Sequence, residues 1–176
     1  MKYCHGLQSL RRNMYCSFKN KKMKNDDLET PMYIINALAP FDLDPCSGDY
    51  TVFAKTNWWI GRGEDGLKKE WFGFVWCNPP FSEKKVWIDK MISHGNGILL
   101  LPERGSAPWF GEVAKEANKY FVMGKKINFI GGSSSNNIGS VLFLFGDLAV
   151  KRIYNSGLCG HLVTVNFFIP RYGFKK

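Results

Sequence analysis

The sequence predicts an α/β fold in which an open, mostly parallel sheet carries helices on both faces. Three observations favour this class. Apolar runs of strand length alternate with segments of helical periodicity. Proline or glycine marks the boundaries between these two kinds of segment. Strand candidates cluster near the end of the chain. The 176 residues are enough for one compact domain with a core of its own.

The first elements precede a long irregular stretch. MYIINALAP has apolar residues at helical spacing and stops at Pro40, which predicts a helix. FDLDP, residues 41–45, is typical of a short strand that ends at a proline. The following segment, residues 46–71, is rich in glycine and polar residues, and we expect it to be irregular.

The central elements follow at short intervals. FGFVWC, residues 72–77, is a continuous apolar run, as expected of a buried parallel strand. Ser82 is the expected N-cap of a helix that Gly95 closes. GILLLP, residues 97–102, predicts a second buried strand, and Pro108 opens a helix that ends at Ala117 or Asn118.

The last part of the chain holds the clustered strands. We expect strands in YFVMG, KINFIGG and SVLFLFG, and a loop or hairpin turn in the glycine- and serine-rich residues 131–139. LAVKRIYN predicts a short helix, and HLVTVNFFIP a final strand.

Charge favours a polyanionic partner. The chain carries 24 Lys and Arg against 15 Asp and Glu, a net charge of +9, and nucleic acid is the commonest polyanion that basic proteins bind. Residues 1–28 are basic with weak periodicity, which predicts a flexible tail, and residues 29–176 are expected to form a single domain.

Several classes of protein are disfavoured. An apolar run of membrane-spanning length is absent from the sequence, as is the continuous apolar stretch of a signal peptide, so we expect a cytoplasmic protein without membrane contact. The 5 cysteines have no CxxC pairing and form no cysteine–histidine cluster with the spacing of metal ligands. We therefore expect reduced thiols and no metal site.

Two polar segments follow predicted strands, and the carboxyl ends of parallel strands share one edge of a sheet, where ligands bind. In Asn78-Pro79-Pro80-Phe81, the amide oxygen of Asn78 and the carbonyl of Pro79 can accept both hydrogens of an amino group. Phe81 offers a flat face for a base, and the prolines stiffen the turn. A plain strand end with a tight turn would also explain this tetrapeptide.

NPPF resembles the [DNS]PP[YFW] motif of amino-group methyltransferases that use S-adenosylmethionine. Thr-Pro, FDLDPCSGD, DGLKKEW, VWCNPPFS, LLLP and a Trp-Phe pair follow in order. This ordered set, over residues 29–147, resembles the phage and prophage Dam-type DNA N6-adenine methyltransferases. The resemblance implies a Rossmann-like methyltransferase fold, S-adenosylmethionine as methyl donor without a metal, and catalysis by the NPPF turn on adenine in DNA.

The resemblance also assigns the donor site. Asp44, Pro45, Cys46 and Gly48 are similar to the [DE]-P-x-x-G loop of related methyltransferases, although the second glycine of the fuller pattern is missing. It implies a site in which an acid accepts from the donor's adenine, an apolar side chain packs on that ring, and a Thr-Pro pair lines the methionine end. The matching residues are Asp65, Leu67, Thr30 and Pro31.

Other roles are expected around this edge. Arg62, Lys84, Lys85 and Arg104 can hold DNA phosphates. The resemblance also implies a stand-alone enzyme encoded by a phage or prophage in a bacterial cytoplasm, with methylation masking sites from host nucleases. We expect a monomer. The NPPF turn equally suits cytosine N4, an RNA base or a protein glutamine, and a non-catalytic nucleic-acid-binding relative stays open, since the DPCSGDY loop is degenerate.

Overall fold

The computed structural model describes residues 28–48, 52–59, 62–124, 126–130 and 138–165. Within these ranges the chain forms four helices and seven strands. The helices are α1 (Met32–Leu38), α2 (Lys84–His94), α3 (Pro108–Glu116) and α4 (Asp147–Asn155). The strands are β1 (Leu43–Asp44), β2 (Thr56–Asn57), β3 (Val75–Cys77), β4 (Gly97–Pro102), β5 (Asn118–Val122), β6 (Ser140–Phe145) and β7 (Gly160–Val163).

All seven strands form one sheet in the order β2-β1-β3-β4-β6-β5-β7. The four strands from β2 to β4 are parallel, whereas β6 is antiparallel to both β4 and β5, and β7 is antiparallel to β5. The sheet is therefore mixed, and the prediction of a mostly parallel sheet was wrong in this respect. β6 pairs with β5, the strand before it, in antiparallel orientation, and the apolar pattern of a strand does not report its direction in the sheet.

Helices cover both faces of the sheet, as predicted. Because successive side chains of a strand point to opposite faces, each central strand contributes to two separate cores. The core under α1 and α4 contains Ile34, Ile35, Leu38, Trp76, Ile98, Leu100, Leu142, Ala149 and Ile153. The core under α2 and α3 contains Leu43, Val75, Trp87, Ile88, Met91, Leu99, Phe110, Val113 and Phe143.

The helix after the NPPF turn begins later than expected. Its N-cap position is occupied by Glu83, which makes no side-chain cap hydrogen bond, so the prediction of Ser82 as N-cap was wrong. The predicted end is confirmed. Gly95 has a φ of 71° and donates its N–H to the carbonyl of Met91 over 2.9 Å, in the left-handed conformation that glycine adopts easily.

Two strand assignments also differ. The segment predicted to be irregular contains β2, whose two residues pair in parallel with β1. KINFIGG forms no strand within residues 126–130, where Ile130 makes only an isolated bridge to Glu29. The first difference arises from pairing with a neighbouring strand, which local periodicity does not report.

Three predictions concern residues outside the described ranges. Apart from Leu28, the tail of residues 1–28 lies outside them, as do residues 131–137 of the predicted loop and residues 166–176. The domain assignment thus stays a prediction. None of the helices in the described ranges has the length and apolar character that crossing a membrane requires.

Candidate functional site

The carboxyl ends of β1, β2, β3 and β4 lie along one edge of the sheet because these strands are parallel. β2 pairs with one side of β1 and β3 with the other. The direction in which strands are added therefore reverses beside β1, and ligands bind α/β sheets at this kind of reversal. The loop Asp44–Gly48 follows β1 and the turn Asn78–Phe81 follows β3, so both candidate segments border this point.

A pair of thiols joins these two segments. The sulfur atoms of Cys46 and Cys77 are 3.6 Å apart, and the backbone of Asn78 also hydrogen-bonds to Cys46. Burial raises the pKa of both thiols, which therefore stay protonated and act as packing groups. The contact places the loop after β1 directly beside the first residue of the NPPF turn.

The amide of Asn78 is oriented by the backbone. Its Nδ2 donates a hydrogen bond to the carbonyl of Leu28 over 2.8 Å. Among the residues that the structure describes, none donates to the Asn78 Oδ1. The amide is therefore held with its donor side occupied and its acceptor side available.

The rest of the turn presents an acceptor and an aromatic ring. Pro79 is buried, and its carbonyl receives no hydrogen bond within the described ranges. Phe81 is half-buried, and its ring contacts no other aromatic ring in this part of the chain. The turn thus contains two acceptors and a flat apolar face, and their part in catalysis stays a prediction.

Lys84 anchors the turn from the first residue of α2. Its Nζ donates to the carbonyl of Phe81 over 2.6 Å and lies 5.7 Å from the centre of the Trp109 ring. The backbone N–H of Glu83 also donates to the carbonyl of Pro80 over 3.3 Å. The lysine thus holds the end of the turn, a role that the sequence analysis missed.

Asp44 is a buried acid at the end of β1, only 4% exposed. Its pKa is raised to about 7, mainly by burial and to a smaller extent by the carboxylate of Glu29, while hydrogen bonds from Cys46 oppose the shift. One of these bonds runs from the Cys46 backbone N–H to Asp44 Oδ1 over 3.1 Å. The carboxyl group is therefore partly protonated near neutral pH.

Glu29 lies against the loop after β1. It is 6% exposed, and a Cβ added to Gly48 would lie 2.2 Å from its Oε1. Only glycine leaves room for the carboxylate there. The backbone of Glu29 exchanges two hydrogen bonds with Ile130, of 3.2 and 2.9 Å, which fix the segment that precedes α1. Glu29 was also missed, although an acid directly before Thr-Pro was visible in the sequence.

The adjacent Thr30 is 3% exposed, and its Oγ1 has no hydrogen-bond partner among the described residues. Leaving a buried hydroxyl unpaired costs about 1–3 kcal/mol, so such a group commonly marks a ligand contact. Pro31, the next residue, occupies the N-cap position of α1. The predicted Thr-Pro pair thus begins beside the loop after β1.

A third segment packs on the same loop. A Cβ added to Gly66 would lie 2.0 Å from the carbonyl oxygen of Pro45, so the two backbones are in direct contact. Asp65 Oδ1 accepts from the Leu67 backbone N–H over 3.0 Å, and its Oδ2 lies 3.2 Å from Lys68 Nζ. These bonds, Leu67 first, lower the pKa of Asp65, which therefore stays an anionic acceptor.

The four cations predicted to hold phosphates differ in their surroundings. Arg62 lies over the Trp59 ring at 5.1 Å, and Arg104 is exposed shortly after β4. Lys85 lies 2.5 Å from Asp89 and 3.2 Å from Glu112, so two carboxylates already compensate its charge. Lys84 holds the NPPF turn, as described above. Phosphate binding by these residues stays a prediction.

Comparison with known proteins identifies the family of the chain. The family described as DNA N-6-adenine-methyltransferase (Dam) matches residues 17–157. The chain is similar to the DNA N-6-adenine-methyltransferase of Escherichia phage T1, with 28% identity over 170 residues, covering 81% of this chain and 68% of the relative. No solved structure matches. Since the family match spans most of the chain, this protein belongs to the DNA N-6-adenine-methyltransferase (Dam) family, the resemblance that its motifs indicate.

Proposed function

We propose that Asn78–Phe81 is the catalytic turn of this DNA adenine-N6 methyltransferase and that S-adenosylmethionine binds beside it, along Asp44–Gly48. The observation that carries this proposal is the hydrogen bond from Asn78 Nδ2 to the carbonyl of Leu28. It uses the donor side of the amide and leaves Oδ1, the atom the reaction needs, as an acceptor.

We infer that the fold is Rossmann-like. Helices on both faces, a reversal of strand order beside β1 and candidate ligand segments at the carboxyl ends of the strands support this. The antiparallel half of the sheet, β6, β5 and β7, lies on the far side of β4 from β1 and β3. These antiparallel strands therefore do not alter the edge of the sheet at which the proposed site lies.

Polar groups suited to the donor line the site. The Thr30 hydroxyl, which has no hydrogen-bond partner among the described residues, and the buried Asp44 carboxyl group fit a ligand that carries an amino acid and a nucleoside. When bound, S-adenosylmethionine supplies a methyl group on a positively charged sulfur. The residues that would hold it are Thr30, Pro31, Asp44, Pro45, Cys46, Gly48, Asp65 and Leu67.

The turn would act on an adenine taken out of the base stack. Phe81 would stack on the base, while Asn78 Oδ1 and the Pro79 carbonyl accept the two hydrogens of the amino group. These hydrogen bonds favour a pyramidal nitrogen and stabilise the positive charge that develops on it during transfer. Because they strengthen in the transition state, they raise the rate rather than only the affinity.

The surroundings would bind the DNA backbone. Arg104 and Arg62, near the same edge, are suited to phosphates, and the net charge of +9 favours binding to a polyanion. We also infer that the protein acts as a monomer in the cytoplasm of a bacterial host.

Product identification tests the proposal. The protein is incubated with methyl-tritiated S-adenosylmethionine and unmethylated DNA, RNA or protein, and the labelled product is identified after digestion. We expect label in N6-methyladenine from DNA. Label in N4-methylcytosine, RNA or methylglutamine would refute the substrate, and absence of both label and donor binding by calorimetry would refute the donor site.

A further inference from the structure

Trp109 lies beside the proposed catalytic turn, although the chemistry of methyl transfer does not require it. It stands in the first turn of α3, which follows the carboxyl end of β4, and thus lies at the same edge of the sheet as the turn after β3. Lys84 Nζ, which donates to the Phe81 carbonyl, lies 5.7 Å from the centre of the Trp109 ring. A single side chain therefore connects the indole to the turn.

The core holds this indole in place. The Trp109 ring packs edge-to-face with Phe110, with the ring centres 5.7 Å apart. Phe110 is only 7% exposed and packs in the same way on Phe143 of β6, at 5.2 Å. Pro108, the first residue of α3, restricts the backbone directly before Trp109. The ring is therefore positioned before a ligand arrives, which lowers the ordering cost of binding.

Trp109 is nevertheless only half-buried, and within the described ranges its indole N–H donates to no acceptor. Packing on Phe110 explains the buried part of the ring but not the part left accessible beside the turn. Tryptophan combines a large apolar ring with a polar N–H, and it is enriched at binding surfaces for this reason.

The charges around Trp109 favour a nucleic acid as its ligand. Lys84 lies over the ring, and the exposed Arg104 begins the turn into α3, in which its carbonyl accepts from the Ala107 N–H over 2.8 Å. The carboxylate of Glu103, in the same loop, lies against Gly139, just before β6. Proteins bind unpaired bases with aromatic rings flanked by cations, because the ring stacks on a base while the cations attract the phosphates.

We propose that the Trp109 indole stacks on the nucleobase next to the extruded adenine. Extrusion of the adenine deprives its neighbours of a stacking partner, and an aromatic ring beside the turn can replace it. The proposal rests on the proposed function, since it assumes that the adenine binds in the turn Asn78–Phe81.

Duplexes with and without the neighbouring bases test this role in the full chain. The sequence around the target adenine is first read from DNA that the wild-type protein has methylated. Three duplexes are then compared by fluorescence anisotropy with S-adenosylhomocysteine present. One is intact, and in the other two an abasic residue of the same charge replaces the 5′ or the 3′ neighbour of the adenine.

Trp109→Leu should bind the intact duplex roughly 10- to 100-fold more weakly than wild type, the range expected for the loss of one stacked base. On one of the two abasic duplexes the variant should bind within about 2-fold of wild type, because the stacking partner is already absent there. Trp109→Phe keeps a flat ring and should retain most of the affinity for the intact duplex.

Phe72→Leu is the matched control, because it removes an exposed aromatic ring that precedes the amino end of β3, at the opposite edge of the sheet. It should bind all three duplexes like wild type. If Trp109→Leu does not fold, Trp109→Met serves instead, since methionine fills irregular gaps without a flat ring. The same pattern is then expected.

Two outcomes would overturn the role of Trp109. One is wild-type affinity of Trp109→Leu for the intact duplex. The other is an equal loss on all three duplexes, which would mean that Trp109 acts through Lys84 and the turn rather than on a base. Failure of the proposed function is a separate result, since the wild-type protein would then methylate no DNA.

Discussion

Asn78 donates from Nδ2 to the carbonyl of Leu28 over 2.8 Å, although 50 positions separate the two residues along the chain. A backbone carbonyl accepts but does not donate, so it selects the NH2 group of the amide rather than its oxygen. The segment before α1 thereby determines which atom of Asn78 is available to a substrate.

Asn78→Ala should lose most methyl transfer while it keeps its affinity for S-adenosylmethionine. The variant lacks one of the two proposed transition-state contacts, for which a loss of about 100- to 1,000-fold is typical. Single-turnover rates with DNA and calorimetry with the donor measure the two quantities. A wild-type rate would contradict the proposed role of the turn.

Asn78→Asp should also be impaired at pH 8, because an ionised carboxylate cannot donate to the Leu28 carbonyl and repels it. The protonated acid can donate, so the rate of this variant relative to wild type should rise as the pH falls from 8 toward 6. Single-turnover rates of both proteins across this range test the expectation. A constant ratio would show that the Leu28 contact does not orient residue 78.

Lys84 and Lys85 provide a matched pair on α2. Lys84→Met removes the donor to the Phe81 carbonyl and should slow single-turnover transfer by about 10-fold, the effect expected for a positioning contact. Lys85→Met should change the rate little, because its ammonium pairs with Asp89 and Glu112 and does not reach the turn. Equal effects of the two substitutions would refute the assigned role of Lys84.

The carboxyl group of Asp44 should make folding less favourable as the pH rises. Burial raises its pKa from 3.8 to about 7, so the folded protein holds a proton that the unfolded chain releases between these values. Stability therefore falls from pH 4 to 7, by at most about 1.4 kcal/mol per pH unit for one proton, and then levels off. Asp44→Asn should lack this decline in urea unfolding at pH 4.5, 6 and 8; parallel curves for the two proteins would contradict it.

Asp42 should have the opposite effect on the pH dependence of stability, which urea unfolding also measures. The hydrogen bond from Lys55, and then that from the Phe74 backbone, lower its pKa below 3.8. Its contribution to stability is present above this value and is lost as the pH falls through the lowered pKa. Asp42→Asn should therefore be less stable than wild type at pH 7, with a difference that narrows below pH 4.

The charge of Arg104 should matter for DNA binding in a salt-dependent way. Arg104→Gln removes one proposed phosphate contact, so the slope of log affinity against log salt should shrink by about 1. Lys151→Gln is the control, because Lys151 is an exposed cation on α4, which follows an antiparallel strand and begins at the opposite edge of the sheet. Fluorescence anisotropy with a DNA duplex measures both slopes, and identical slopes for the two variants would contradict the assignment.

The fold was predictable where apolar runs are bounded by proline or glycine. The predicted strand at residues 97–102 and the helix from Pro108 agree with β4 and α3. β2 was missed because its two residues gain their order from the neighbouring β1 rather than from their own pattern. The antiparallel position of β6 likewise depends on pairing across the sheet, which strand periodicity does not determine.

The site was predictable only in part, for a related reason. Strand order placed Asp44 and Asn78 at one edge, and the structure brings their segments together through Cys46 and Cys77. The contacts of Leu28 with Asn78 and of Glu29 with Gly48 are tertiary, so no local signal specifies them, whereas the contact of Lys84 with the Phe81 carbonyl spans only three positions. They nevertheless determine how the predicted residues are oriented.

The contact between Glu29 and Gly48 links two positions that are 19 residues apart in the sequence. A side chain at position 48 would fill the space that the glutamate occupies, whereas a shorter residue at position 29 would free it. The two positions should therefore vary together among relatives, with alanine or serine at 48 accompanied by a smaller residue at 29. Such covariation would preserve the shape of the site while its chemistry changes.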